Sequence, residues 1–201
     1  MTNSSLQQEP ATRNGQSPPS APPDDRFHRA LLHDVHPAAW RNPKFAGKYN
    51  LIVIGAGPGG ITAAREAAAL GAKVALIERN FIGGDRLNVG CVPSKAIIRT
   101  ARLYAEMRNA DSVGAQVPGR IGIGFATVME RMQRIQARLS RADSAQRLSE
   151  AGVDVYFGEA RFAGSDTVEV AGDKLRFRKA LIATGARPLT PPIPGLSRIH
   201  I

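Results

Sequence analysis

The feature that most constrains the fold is a glycine-spaced turn that joins an apolar run to an alanine-rich segment. Residues 51–54 are Leu-Ile-Val-Ile, and a continuous, largely β-branched run is typical of a strand buried on both faces of a parallel sheet. Residues 61–70 favour a helix. The turn between them has the glycine spacing of a dinucleotide-binding loop, with Gly55, Gly57 and Gly60.

A second predicted strand, residues 73–77, ends at Glu78 and completes a βαβ unit. A carboxylate at this position binds ribose hydroxyls and repels a 2′-phosphate, so the site suits FAD or NAD rather than NADP. In this interpretation Gly55 permits the tight turn, Gly57 lets a pyrophosphate approach the backbone, and Gly60 lets the helix pack against the strand. The alternative is a βα turn with a purely structural role.

The rest of the chain changes its periodicity from helical to strand-like. Residues 80–90 predict a glycine-rich loop, and helices are predicted over residues 92–109 and 125–151. Residues 153–177 have a period of two, which predicts a small antiparallel meander before a last buried strand at residues 180–183. The expected fold is a three-layer α/β, Rossmann-like domain with a parallel sheet and an antiparallel β-meander.

The most specific motif is the segment 83–95, Gly-Gly-Asp-Arg-Leu-Asn-Val-Gly-Cys-Val-Pro-Ser-Lys. It resembles the active-site segment of the pyridine nucleotide-disulfide oxidoreductases, FAD enzymes that include dihydrolipoamide dehydrogenase, glutathione reductase and mercuric reductase. The resemblance extends over about residues 48–195. Residues 35–43 also resemble a branch that is often labelled mercuric reductase-like.

The resemblance implies a FAD-binding domain and a role for each matching residue. Cys91 corresponds to the flavin-proximal thiol that forms a charge-transfer complex, and Lys95 would lie beside the flavin ring. A thiolate is favoured at a helix N-terminus near a lysine, whereas the alternative for a lone cysteine is a small buried hydrophobic residue. The other implied contacts, to pyrophosphate, ribose, adenine and the cofactor cleft, are Gly55, Gly57, Gly60, Glu78, Gly158, Ala160, Thr184 and Gly185.

One position departs from the family pattern in a way that affects the chemistry. The second redox cysteine would stand at position 86, where this chain has Arg86. One sulfur cannot form the internal disulfide through which electrons normally pass in the family. A point lesion is one interpretation, and the other is that Arg86 stabilises a Cys91 thiolate and leaves chemistry of the sulfenic-acid kind.

Composition excludes several classes of function. The chain has 201 residues, a formal net charge of +10 and a single cysteine, which excludes a disulfide scaffold and a thiolate zinc cluster. The basic residues between positions 99 and 147 are spaced like the solvated faces of helices and have no aromatic platform beside them, so no nucleic-acid partner is expected. No apolar run reaches the about 20 residues of a membrane helix, and without a signal segment a cytoplasmic location is expected.

Three histidines near the N-terminus, His28, His33 and His36, suggest a metal site, but their spacing matches no standard cluster. We therefore expect no metal site, and residues 1–44 are expected to be a disordered or docking arm. Residues 45–195 would form the N-terminal portion of a FAD-binding domain that is incomplete at its C-terminal side, and residues 196–201 an unstructured tail.

The resemblance also implies partners for the parent enzyme, namely NAD(P)H and a small disulfide or metal-thiolate acceptor. The sequence contains no second glycine fingerprint and no counterpart of the family's interface domain, so a family-type homodimer is not expected. With Arg86 in place of the partner cysteine, the chain alone is expected to be inactive. The alternatives are a non-catalytic flavin- or ADP-binding module and a truncated gene fragment without independent function.

Overall fold

A computed structural model describes residues 26–117, 119, 121–187, 189 and 191–194, so the predicted tail at 196–201 lies outside the described residues. The helices are α1 (Arg26–Val35), α2 (Pro58–Ala69), α3 (Gly84–Asn88), α4 (Cys91–Arg108), α5 (Phe125–Ser140) and α6 (Ala145–Glu150). The strands are β1 (Lys48–Ile54), β2 (Val74–Glu78), β3 (Val153–Phe157), β4 (Ala160–Gly164), β5 (Thr167–Val170) and β6 (Asp173–Ile182).

The six strands form one sheet in the order β3-β2-β1-β6-β5-β4. The first four are parallel, and Ile54 pairs with both Ile77 and Ile182, so their carboxyl ends lie at one edge. The strand order reverses between β1 and β6, which is where open α/β sheets bind their ligands. The predicted α/β fold with a mostly parallel sheet is confirmed.

The meander is continuous with the parallel sheet, because its third strand is also the fourth parallel strand. Residues 175–177 and 180–183 were expected in separate strands, but both lie largely within the single strand β6. The early part of β6 pairs antiparallel with β5, and from Arg176 onward it pairs parallel with β1.

The expectation that this last strand is buried is wrong. Leu181 is 37% exposed and Ile182 is 65% exposed. The reason is that β5 pairs with β6 only as far as Arg176. Within the described ranges, the later part of β6 is therefore paired along one edge, with β1.

Two further expectations need correction. The helix expected over residues 125–151 is interrupted by a 3-10 turn at Arg141–Asp143, after which the Oγ of Ser144 accepts a hydrogen bond from the backbone N–H of Arg147 at 3.3 Å. A serine that caps a helix start in this way favours a new helix over continuation of the old one. The loop expected over residues 80–90 contains the short helix α3.

The core lies on both faces of the parallel sheet, which gives the three expected layers. On one face the sheet packs against helices, with a buried cluster that includes Val53, Leu76, Val155, Ile61 and Leu148. On the other face it packs against the meander, with a buried cluster that includes Ile52, Ile77, Tyr156, Val168 and Phe177.

A polar network crosses the meander side of the sheet. The hydroxyl of Tyr49 donates to Asp154 at 2.7 Å and lies 2.9 Å from the hydroxyl of Tyr156. The same Asp154 carboxylate forms an ion pair with Lys73 at 2.7 Å. Burial raises the pKa of Tyr49 and of Tyr156 above the usual tyrosine range, and the hydrogen bonds to Tyr156 and Asp154 raise the pKa of Tyr49 further.

Helix α1 packs against α5. Its Asp34 accepts a hydrogen bond from the hydroxyl of Ser140 at 2.6 Å, and Val35 is fully buried. None of the helices in the described part of the chain is long and apolar enough to cross a membrane.

Candidate functional site

Four parallel strand ends meet at one edge and are joined by backbone hydrogen bonds. The N–H of Gly55, after β1, donates to Ile77 at 2.8 Å, and the N–H of Gly158, after β3, donates to Glu78 at 2.9 Å. On the other side, the N–H of Ala183 donates to Ile54 at 2.8 Å. A residue predicted for the cofactor therefore lies at or just after the end of each of these strands.

The three glycines of the first turn are needed for different reasons. Gly55 has a φ of +104°, which favours glycine, and a Cβ there would lie 2.7 Å from the carbonyl carbon of Ala183. A Cβ on Gly60 would overlap the carbonyl oxygen of Gly55, so Gly60 lets α2 pack against β1. The protein itself therefore requires glycine at both positions.

Gly57 differs from both, because nothing in the protein explains it. Its φ of −74° and ψ of −178° are extended and open to any residue. A Cβ on Gly57 would meet no atom within 4 Å. Gly57 precedes α2 as its cap and makes no side-chain hydrogen bond to the first amides of that helix, so no capping side chain satisfies them.

Glu78 closes this turn from the neighbouring strand. Its carboxylate accepts hydrogen bonds from the backbone N–H of Ala56 and of Asn80, each at 2.8 Å. The residue is only 9% exposed. A carboxylate has about four acceptor positions, so these two bonds orient Glu78 and leave it able to accept from ribose hydroxyls.

The segment 83–95, which carries the predicted thiol, packs directly on this turn. The N–H of Gly83 donates to the carbonyl of Ala56 at 2.8 Å. Gly84 has a φ of +55°, and a Cβ there would lie 2.9 Å from the Cα of Gly57. Glycine at position 84 therefore lets the two loops approach backbone to backbone.

Two amide side chains, which were not identified from the sequence, hold the backbone of the segment 83–95. The Nδ2 of Asn88 donates to Ile82 at 3.2 Å and to Gly84 at 2.9 Å. The Nε2 of Gln136, which is buried on α5, donates to Leu87 at 2.9 Å and to Asn88 at 3.0 Å. A polar residue on the apolar face of α5 is the signal that would have indicated Gln136.

Cys91 is the first residue of α4 and is exposed. Lys95 lies one turn later on the same helix and is also exposed. Residues four apart share a helix face, so the structure brings the predicted thiol and lysine to the same surface.

Arg86 is directed to a different partner from the one considered at the sequence level. Its guanidinium forms an ion pair with Asp143 at 2.9 Å, and the other oxygen of Asp143 accepts from Arg65 of α2 at 3.1 Å. Arg65 also donates to the carbonyl of Ala142. The break between α5 and α6 places Asp143 where it links the segment 83–95 to α2.

The remaining predicted residues lie at or beside the strand ends. Gly158 has a φ of +148°, and Ala160 begins β4 opposite Val170. Thr184 is exposed, and its Cα would lie 3.0 Å from a Cβ on Gly55. Gly185 follows with a φ of +69°.

The histidine segment forms no metal site in the part of the chain that the structure describes, where no group of three or more potential ligands lies close together. His36 instead contacts Asn80 and packs against the ring of Phe157, with ring centroids 4.4 Å apart.

The fold and the paired glycine loops define an α/β dinucleotide-binding domain with a thiol-bearing loop. Residues 49–201 match the family described as pyridine nucleotide-disulphide oxidoreductase. The chain therefore belongs to this family, which confirms the resemblance noted in the sequence.

Known proteins similar to this chain include two named classes of enzyme. A dihydrolipoyl dehydrogenase of Acholeplasma laidlawii is 35% identical over 153 residues, covering 76% of this chain and 45% of that protein. A mercuric reductase of Bacillus cereus is 34% identical over 151 residues, covering 75% of this chain and 24% of that protein. The chain thus spans less than half the length of these relatives.

A solved structure is similar as well. The Cu(II) complex of the HOCl-induced flavoprotein disulfide reductase RclA from Escherichia coli superposes with a TM-score of 0.59 and 27% identity. The match covers 74% of this chain and 31% of that one. The family to which the chain belongs is one of flavin-dependent pyridine nucleotide-disulfide oxidoreductases.

Proposed function

We propose that this chain binds FAD, with the cofactor pyrophosphate at the N-terminus of α2 and the adenosine ribose at Glu78. The observation that carries the proposal is Gly57, whose backbone angles and surroundings would accept a side chain. A glycine is needed there if a ligand approaches the Cα. The uncapped first amides of α2 are suited to an anion.

The other strand ends fit the remaining parts of the same cofactor. Gly158 and Ala160 would border the adenine, because Gly158 is bonded to the strand that ends in Glu78. Thr184 and Gly185 would line the cleft on the β6 side of the strand-order reversal. Residues 45–195 would act together as the FAD-binding domain, with the flavin ring beside Lys95 and Cys91.

We further propose that the chain is the flavin-binding part of an NAD(P)H-dependent reductase of a small disulfide or a metal-thiolate, acting in the cytoplasm. FAD supplies two-electron transfer when bound. The Cys91 thiolate can attack an external disulfide, forming one mixed disulfide and releasing one thiolate. A second sulfur is needed to resolve it, and the 201 residues contain one cysteine. The chain alone therefore stops at this stage.

The alternative of a non-catalytic flavin- or ADP-binding module is favoured by one observation. Arg86 occupies the partner position of Cys91 and is bound to Asp143, whose side chain is only 14% exposed. An arginine held in this way stabilises the loop without taking part in sulfur chemistry. Turnover of a small disulfide with NADH or NADPH would argue against this alternative.

The test is a titration of the purified chain with FAD, followed by flavin fluorescence. Glu78→Gln is compared with Glu66→Gln, which changes an exposed glutamate of α2. We expect wild type and Glu66→Gln to bind FAD and ADP, and Glu78→Gln to bind both more weakly. ADP carrying a 2′-phosphate should compete poorly with FAD for the wild type. Equal binding by all three proteins, or no binding by the wild type, would contradict the proposal.

A further inference from the structure

Residues 35–42, which we call the edge arm, lie outside the family match that begins at residue 49. The edge arm connects α1 to the sheet and runs beside β3, the outermost parallel strand. Its side chains bond to the backbone groups of that strand. The segment therefore lies at the sheet edge nearest the proposed adenosine site.

The edge arm holds the end of β3 through Asn42 and Trp40. The side-chain amide of Asn42 accepts from the N–H of Phe157 at 2.8 Å and donates to the carbonyl of Phe157 at 3.0 Å. The indole N–H of Trp40 donates to the carbonyl of Val155 at 3.1 Å. The residue after Phe157 is Gly158, so its backbone starts from a fixed point.

The edge arm also holds the turn after β2. The carbonyl of Val35 accepts from the N–H of Ile82 at 3.0 Å, and the Nδ1 of His36 donates to the carbonyl of Asn80. Asn80 in turn donates its N–H to the carboxylate of Glu78 at 2.8 Å. The ring of His36 packs on Phe157 and so joins the two contact points.

We propose that the edge arm is a positioning element for the adenosine half of the cofactor site. This inference rests on the proposed function and deepens it. Glu78 is assigned to the ribose and Gly158 to the adenine, and each is one residue or one hydrogen bond away from a group that the edge arm holds. If these residues are already fixed before binding, less conformational entropy is lost when the nucleotide binds, and its affinity is higher.

A purely structural role is the competing explanation, because side chains that cover an edge strand also prevent strand pairing between molecules. The two explanations differ in what happens to a folded protein. Loss of edge cover affects the melting temperature and association between molecules, but not the affinity of the folded monomer for nucleotide. Positioning affects nucleotide affinity and the local opening of residues 78–82 and 158–160, which Asn42 does not contact directly, at temperatures where the protein is fully folded.

The experiment compares the full wild-type chain with Asn42→Ala, and with Arg41→Ala as a matched control. Arg41 is the exposed neighbour of Asn42. Dissociation constants for FAD and ADP are measured together with amide hydrogen exchange of the nucleotide-free protein. The loss of two hydrogen bonds to Phe157 should weaken both nucleotides about tenfold and speed exchange in the two segments, while Arg41→Ala changes neither.

A wild type that binds both nucleotides, with Asn42→Ala binding them equally well and exchanging no faster, overturns the inference and leaves the proposed function intact. A wild type that binds neither overturns the proposed function and the inference with it. His36→Ala breaks the separate contact to Asn80, so it gives the same test if Asn42→Ala does not fold.

Discussion

The sharpest test of the cofactor site is Gly57→Ala, because this substitution should separate ligand binding from folding. The new methyl group meets no protein atom within 4 Å and requires no change in backbone angles. Losing glycine at a helix cap costs about 0.5–1.5 kcal/mol, and restricting the unfolded chain offsets about 0.4–1 kcal/mol. The net change in the free energy of unfolding should be about 1 kcal/mol or less, which is about 2–4 °C in melting temperature for this chain length.

The effect on FAD binding should be much larger. The methyl group would occupy the space through which a pyrophosphate reaches the first amides of α2. A hydrogen bond to a charged group contributes about 1.5–3 kcal/mol, so losing one raises the dissociation constant roughly 10- to 150-fold. Flavin fluorescence measures the affinity, and thermal unfolding monitored by circular dichroism measures the stability.

Gly60→Ala is the contrasting variant, since its Cβ would overlap the carbonyl oxygen of Gly55. Overpacking of this kind costs about 3 kcal/mol, or about 6–12 °C for a chain of this size. The reasoning is refuted if Gly57→Ala binds FAD as tightly as the wild type. It is equally refuted if Gly57→Ala unfolds at as low a temperature as Gly60→Ala.

Three further predictions follow from groups outside the glycine turn. Burial and hydrogen bonding raise the pKa of Tyr49 above the unfolded value of about 10. The stability that this shift contributes is present below pH ~10 and is lost as the pH rises above it. Tyr49→Phe should therefore reduce the alkaline loss of unfolding free energy measured in urea titrations, and an unchanged dependence of that free energy on pH would contradict this prediction. Asp143→Asn removes the charge shared by two arginines and should lower the free energy of unfolding by about 1–3 kcal/mol in urea, whereas no change would show that the pairs are fully screened. Arg86→Cys should form a disulfide with Cys91 on oxidation, seen as a mass decrease of two hydrogens, and persistent failure to form it would refute the assignment of position 86.

Much of the fold could be predicted because its signals are local. The apolar run of β1, the glycine spacing and the acid at the end of β2 each act within a few residues, and together they define the βαβ unit. The expected single helix over 125–151 was wrong because the backbone leaves the α-helix at the 3-10 turn Arg141–Asp143, and Ser144 then caps a new helix. The spacing of apolar residues indicates which face of a helix is buried, but it does not indicate whether the helix continues without interruption.

The groups that support the site could not be predicted, because their roles depend on tertiary contacts. Gln136 bonds to backbone carbonyls 48 and 49 residues away, and Asn42 bonds to a strand 115 residues away. The acid partner of Arg86 lies 57 residues along the chain. No local pattern reports such pairs, whereas the glycines and Glu78 are recognisable because they act within one motif.

The direct approach of Gly84 to Gly57 affects how this protein can change through mutation. At this contact the two backbones meet directly, and a Cβ at Gly84 would both force the loops apart and strain a left-handed residue. Substitutions at other positions of the segment can alter charge and reactivity around the thiol while this backbone contact stays the same. The chemistry of the loop is therefore free to vary independently of the distance at which it is presented.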